Sequence, residues 1–174
     1  MEITKELWGN TPCGKEIFRY TMKNSSGAYV QLSNLGAGIV SIVVPDKDGK
    51  MDDVVLGYAK ADSYYADGPC AGKVPGRYAN RIALGRFELD GKVYELPINN
   101  GPNHLHGGPE GFQNKIWEHR ENDGGVEFMY YSKDGQMGYP GALKTVVRYV
   151  WNEENELMMT MTAECDAPTI VNLT

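Results

Sequence analysis

The dipeptide Asp-Gly recurs along this chain, at Asp48-Gly49, Asp67-Gly68, Asp90-Gly91, Asp123-Gly124 and Asp134-Gly135. Each pair tolerates the positive φ values of a tight hairpin turn, so the backbone can reverse direction at short intervals. With 21 Gly and 9 Pro in 174 residues, few uninterrupted stretches remain for a stable amphipathic helix. The expectation is low helix content and an all-β, antiparallel meander. Runs of strand character lie between the turns: Glu16 to Met22, Ala28 to Ser33, Ile39 to Val44, Val54 to Tyr58, Arg86 to Leu89 and Val93 to Leu96. Val126 to Ser132, Leu143 to Trp151, Leu157 to Ala163 and Thr169 to Leu173 continue the series. The clearest unit is Arg86 to Leu96, where apolar and charged residues alternate on both sides of Asp90-Gly91.

Residues 59–85 and 97–118 break this pattern. They are rich in Gly, Pro, Asn and Tyr with little periodicity, and long ordered loops in a compact β domain usually carry a binding site. No repeat or composition break marks a second domain. The final run, Ala167 to Thr174, reads as a strand that stops without a turn or polar tail, as if cut.

Several function classes are disfavoured. A formal charge of -6 makes attraction to phosphate backbones or anionic lipid unfavourable, so neither nucleic acid nor membrane is expected as a partner. The start lacks the layout of a signal peptide and no window is apolar enough for a membrane helix, which points to the cytoplasm. Cys13, Cys70 and Cys165 are odd in number and widely spaced, consistent with buried reduced thiols.

Gly36-Ala37-Gly38 superficially suggests a dinucleotide turn, but a strand-like run follows where a helix is needed, so a turn or bulge is favoured. In Asn103-His104-Leu105-His106-Gly107-Gly108, two imidazoles would share one face of an extended backbone. Three readings compete. His104, His106 and Glu110 resemble the first half of a cupin metal motif, although the later His119 lacks the setting of a further ligand. The pair could instead brace a Gly-rich loop, or one imidazole could exchange a proton at a ligand hydroxyl. Asn80-Arg81 is the second cluster: the Arg fork and the Asn amide suit sugar hydroxyls, and a loop-bracing or solvated Arg accounts for them equally well. Asp52-Asp53 reads as a solvated strand entry, and Trp8, Trp117 and Trp151 as core.

Trp8-Gly9 with Thr11-Pro12, Asn34 to Ala37 leading to Val44-Pro45-Asp46, Asp53 to Tyr58, Gly76-Arg77 with Ala79 to Ile82, Asn103 to Gly108, Gly111-Phe112 before Trp117, and Gly138 to Gly141 follow one another along the chain. In that order these segments together resemble the aldose 1-epimerase family, the galactose mutarotases. The resemblance implies an antiparallel β-sandwich of the galactose mutarotase type, truncated, with residues 1–174 as the N-terminal part of a single domain whose C-terminal half is absent. It implies an isomerase that interconverts the α and β anomers of free aldohexoses, glucose or galactose, without metal, nucleotide or other cofactor. By position in the motifs, Asn80, Arg81 and His106 match the family's substrate-binding residues, and His106 also its catalytic machinery. The family's principal acid follows the motif that ends here at Thr174, and its base and a sugar-binding Asp lie further on. A chain of this extent is therefore expected to be inactive alone and to associate with a complementary C-terminal chain or with itself. A noncatalytic sugar-binding module and, below it, a cupin-like metal enzyme are the alternatives.

Overall fold

The computed structural model describes residues 1–65 and 68–174. Two antiparallel meanders face each other. The first runs β1 (Glu2–Asn10), β2 (Glu16–Lys23), β3 (Tyr29–Ser33), β4 (Gly38–Pro45) and β5 (Met51–Asp53), each hydrogen-bonded to the next. A short helix α1 (Ala61–Tyr65) follows, then two small ribbons: β6 (Arg81–Ile82) with β9 (His104–Leu105), and β7 (Arg86–Leu89) with β8 (Lys92–Glu95). The second meander is β10 (Glu118–Asn122), β11 (Gly125–Ser132), β12 (Leu143–Trp151) and β13 (Leu157–Cys165). Among the described residues no helix is long and apolar enough to cross a membrane.

Alternation explains how the layers meet. In β12, Leu143, Thr145, Val147, Tyr149 and Trp151 point inward and are buried, while the residues between them are less so. All of these but Thr145 join Val126 and Phe128 of β11, and Tyr20, Met22, Val30 and Leu32 of the first sheet, in one core. The Tyr149 hydroxyl crosses between the layers and donates to the Ala37 carbonyl at 2.8 Å. Burying one such aromatic contributes about 2–3 kcal/mol.

The ribbon β7–β8 forms as the sequence predicts, with Asp90 at φ 52° and Gly91 at φ 73° in the turn. Asp123 and Gly124 make the same kind of turn between β10 and β11. Asp67 lies outside the described residues. Gly36 and Ala37 form a left-handed turn that leads into β4, as the turn reading requires.

Four expectations need correction. Val54 to Tyr58 is not a strand: the Asp53 carboxylate accepts the backbone N–H groups of Ile42 and Val55, ending the ladder, and Leu56 is 95% exposed. Thr169 to Leu173 is not one either, making only a single parallel bridge through Asn172 to Tyr78. The cysteines are free but not buried, with Cys13 exposed and Cys70 and Cys165 half-buried. Trp117 and Trp151 are core, whereas Trp8 is half-buried against Tyr64 and Arg19.

The charged string around His119 is strand β10, which turns His119 inward so that its Nδ1 lies 2.6 Å from the Tyr20 hydroxyl. Burial pushes the Tyr20 phenol up to about 12, with Glu121 adding to the shift, so it stays neutral at physiological pH.

Candidate functional site

The two aperiodic loops meet in the ribbon β6–β9, where Arg81 faces Leu105 and Ile82 faces His104. At its end, Asn80 and His106 close a reciprocal pair. The His106 N–H donates to the Asn80 carbonyl at 3.1 Å, and the Asn80 N–H donates to His106 Nδ1 at 3.0 Å. Both residues are left-handed, Asn80 at φ 69° and His106 at φ 52°. Asn is among the residues that tolerate this region, and here its Oδ1 accepts the Arg81 N–H at 2.9 Å.

This geometry fixes the chemistry of His106. Because Nδ1 accepts a backbone N–H, the neutral ring carries its proton on Nε2 and offers it as a donor. Burial, followed by the nearby positive charge of Arg81, lowers its pKa below the ordinary value of 6.5, which keeps the imidazole neutral near pH 7. Arg81 is exposed and donates through Nε to Asn100 Oδ1 at 2.8 Å, leaving its terminal nitrogens toward solvent. The corner therefore presents N–H donors from Arg81, His106 and the exposed Asn80 amide, an arrangement suited to the oxygens of a ligand.

His104 has a different environment. It is fully buried; Nδ1 donates to the Pro97 carbonyl at 2.7 Å and Nε2 accepts the Tyr139 hydroxyl at 2.7 Å. Burial lowers its pKa, and with both ring nitrogens engaged it has no lone pair for a metal. Glu110 is paired with Lys115 at 2.9 Å, and among the described residues no group of three His, Cys, Asp or Glu side chains could hold a metal ion. Asp52 and Asp53 lie far along the chain in β5 and are exposed.

Behind His104 lies Arg77, 1% exposed, which donates to Ser132 Oγ at 2.9 Å, Lys133 O at 3.0 Å and Pro140 O at 2.8 Å. Its guanidinium lies 5.7 Å from the Tyr139 ring centroid. Burial lowers its pKa, and the bonds to neutral oxygens solvate the charge in place of water. The loop ahead of the corner also holds the end of the chain: Ala79 N–H donates to Asn172 O at 2.7 Å, and the Asn172 amide donates to Ala79 O at 3.1 Å.

Sequence reasoning brought Asn80, Arg81 and His106 forward, and the structure brings all three together. It missed Asn100, Tyr139 and Asn172. Asn100 sits in a local excess of Asn and Gly, which reads as turn chemistry, while Tyr139 and Asn172 lie in Gly138 to Gly141 and in the closing run, whose patterns do not reveal the partners these side chains find.

The molecule is thus an antiparallel sandwich that carries a loop-built corner of N–H donors. The aldose 1-epimerase family model matches residues 19–174. The chain is 41% identical to the galactose mutarotase of Sus scrofa over 174 residues, all of this chain and 51% of that protein. It is 38% identical to the aldose 1-epimerase of Escherichia coli (strain K12) over 164 residues, 94% of this chain and 47% of that protein. Among solved structures, the galactose 1-epimerase of Lactobacillus acidophilus NCFM superposes with TM-score 0.88 at 28% identity, covering 99% of this chain and 51% of that one. An aldose epimerase homologue from C. elegans gives 0.83 at 36% identity, covering 88% and 47%. The chain belongs to the aldose 1-epimerase family. It spans about half the length of the curated relatives it matches.

Proposed function

We infer that this chain supplies the sugar-binding corner of an aldose 1-epimerase acting on free aldohexoses, galactose or glucose, and that a general acid and base outside these 174 residues complete the chemistry. Anomer exchange needs a base to take the proton of the anomeric hydroxyl and an acid to protonate the ring oxygen. The ring opens, the aldehyde carbon rotates, and closure presents the other face. In that scheme Arg81 and Asn80 bind hydroxyls, and neutral His106 donates from Nε2 to an oxygen near the reacting centre, stabilising charge that develops there.

The observation that carries this reading is the Asn80–His106 pair, which sets the imidazole as a donor beside a guanidinium. The docking of Asn172 on Ala79 supports it further, because residues following Thr174 in a longer chain would emerge beside Asn80. The second sheet points the same way. β13 ends the sheet with only β12 beside it, and its Met158 and Met159 are 66% and 44% exposed. An open edge with apolar side chains suits a complementary polypeptide or a second copy.

Polarimetry of freshly dissolved α-D-galactose and α-D-glucose tests the reading, beside a galactose titration. The chain alone should bind galactose, lose that binding in Arg81→Ala, and leave mutarotation at the buffer rate. Addition of a polypeptide carrying the remaining half of the family sequence should then accelerate it. Binding without any such restoration would identify a noncatalytic sugar-binding module instead, and acceleration by the chain alone would overturn the assignment of acid and base.

A further inference from the structure

The segment Asn99 to Asn103 lies behind the ribbon β6–β9, and two adjacent asparagines in it touch the parts that place His106 and Arg81. Asn99 spends both ends of its amide on one backbone residue: Nδ2 donates to Leu105 O at 3.0 Å, and Oδ1 accepts the Leu105 N–H at 2.7 Å. A neighbouring strand would supply the same pair of bonds, so this side chain completes the edge of β9. Leu105 immediately precedes His106. Asn100 reaches the other strand, where its Oδ1 accepts the Arg81 Nε–H at 2.8 Å. That bond occupies the inner donor of the guanidinium and leaves the terminal NH2 groups free for a ligand. An exposed arginine otherwise samples many rotamers, and holding it beforehand removes an ordering cost from ligand binding. The Asn100 backbone is tied separately, through reciprocal bonds with Asn103 at 3.1 and 3.0 Å, so its side chain can change while the loop stays closed.

We propose that Asn99 and Asn100 are positioning residues of the corner: Asn99 sets His106 through Leu105, Asn100 sets Arg81, and together they fix the separation at which an imidazole donor and a guanidinium engage two oxygens of one sugar ring. This assignment rests on the sugar-binding reading above. Neither residue need touch the ligand. Each acts through a group that does, and the two act on different strands of the ribbon.

The test uses the full chain with D-galactose as probe, and nuclear magnetic resonance of the Arg81 Nε–H and the His106 ring. In the sugar-free protein, Asn100→Ala should lose the protected Arg81 Nε–H signal, whereas Asn100→Asp should keep it, because a carboxylate oxygen can stand where the amide oxygen stood. Galactose affinity should fall about tenfold in Asn100→Ala and stay within about threefold of the parent in Asn100→Asp, the scale of one charge-assisted hydrogen bond. Asn99→Ala should shift the His106 ring signals and weaken galactose by about tenfold, with Arg81 unchanged. An Asn100→Ala protein that keeps both the Arg81 signal and its affinity would overturn the proposal, as would a folded Asn100→Asp protein that behaves like Asn100→Ala. If the parent chain binds no galactose, the sugar reading fails, and the sugar-free Arg81 and His106 signals still decide whether the two asparagines position them.

Discussion

His104 and His106 stand two residues apart on one short segment and live in opposite environments. His104 is fully buried, held between Pro97 and Tyr139, with its proton on Nδ1. His106 is half-buried, held through Nδ1 by the Asn80 backbone, with its proton on Nε2 and that nitrogen turned toward the open corner. The backbone accounts for the difference. His104 lies in β9 and follows the ribbon inward, whereas His106 has left the strand at φ 52° and swings out. A repeat of one residue type thus carries two jobs, one of holding the loop and one of presenting a donor, and the partner of each Nδ1 decides which.

The sharpest way to break this arrangement is at the turn that follows His106. Gly107 has φ 76°, and a Cβ there would overlap the carbonyl oxygen of Gly76. Backbone cannot swing aside as a flexible side chain can, so Gly107→Ala should cost more than about 3 kcal/mol, combining the clash with left-handed strain. Urea denaturation would read this directly. A loss near 1 kcal/mol, the ordinary scale for Ala at positive φ, would show that the loops 76–81 and 104–108 can separate without harm.

The next effect separates the two histidines. His104→Phe keeps the ring but leaves the Pro97 carbonyl and Tyr139 hydroxyl without partners inside the protein, and should lower stability by about 1–3 kcal/mol. His106→Phe removes a half-exposed ring whose Nδ1 bond water can replace, so its cost should stay within about 0.5–1 kcal/mol. Galactose binding should reverse that ranking, lost in His106→Phe and retained in any His104→Phe protein that remains folded. Equal stability losses in the two variants would remove the distinction between them.

How much of this was legible follows from where each residue gets its partners. β12 was plain because Leu143 to Trp151 alternates without interruption and is buried on one face. β10 was not, since Glu118 to Asn122 is charged and becomes a strand only by pairing with β11 across Asp123-Gly124. That turn was visible, and a hairpin turn before Val126 required a strand ahead of it. Val54 to Tyr58 misled in the other direction, because hydrophobic composition cannot reveal that the Asp53 carboxylate takes the backbone donors a ladder would use. At the corner, Asn80, Arg81 and His106 stood out by residue type and by their resemblance to a family motif. The bonds that place them come from Asn99 and Asn100, which supply tertiary contacts that a one-dimensional pattern does not encode.

The smallest effect is the pH dependence that His104 confers, and its sign follows from burial. Its folded pKa is lowered below the ordinary value of 6.5, chiefly by burial, while the unfolded chain titrates near that value. Above pH about 6.5 the ring is neutral in both states and the contribution is complete. As the pH falls below about 6.5, the unfolded chain binds a proton that the folded one resists, so stability decreases until the lowered folded pKa is passed. The protonated ring would also lose its acceptor, leaving the Tyr139 hydroxyl to turn away. His106 and His119 are lowered as well, each by burial first, with Arg81 and Lys5 respectively adding to it, so they share the same direction. Denaturation midpoints measured from pH 7.5 down to pH 5 should therefore decline in the parent, more shallowly in His104→Phe, and still measurably there because two histidines remain. An unchanged slope in His104→Phe would mean that the buried ring is protonated as readily folded as unfolded, and that the Pro97–His104–Tyr139 chain does not hold the neutral form.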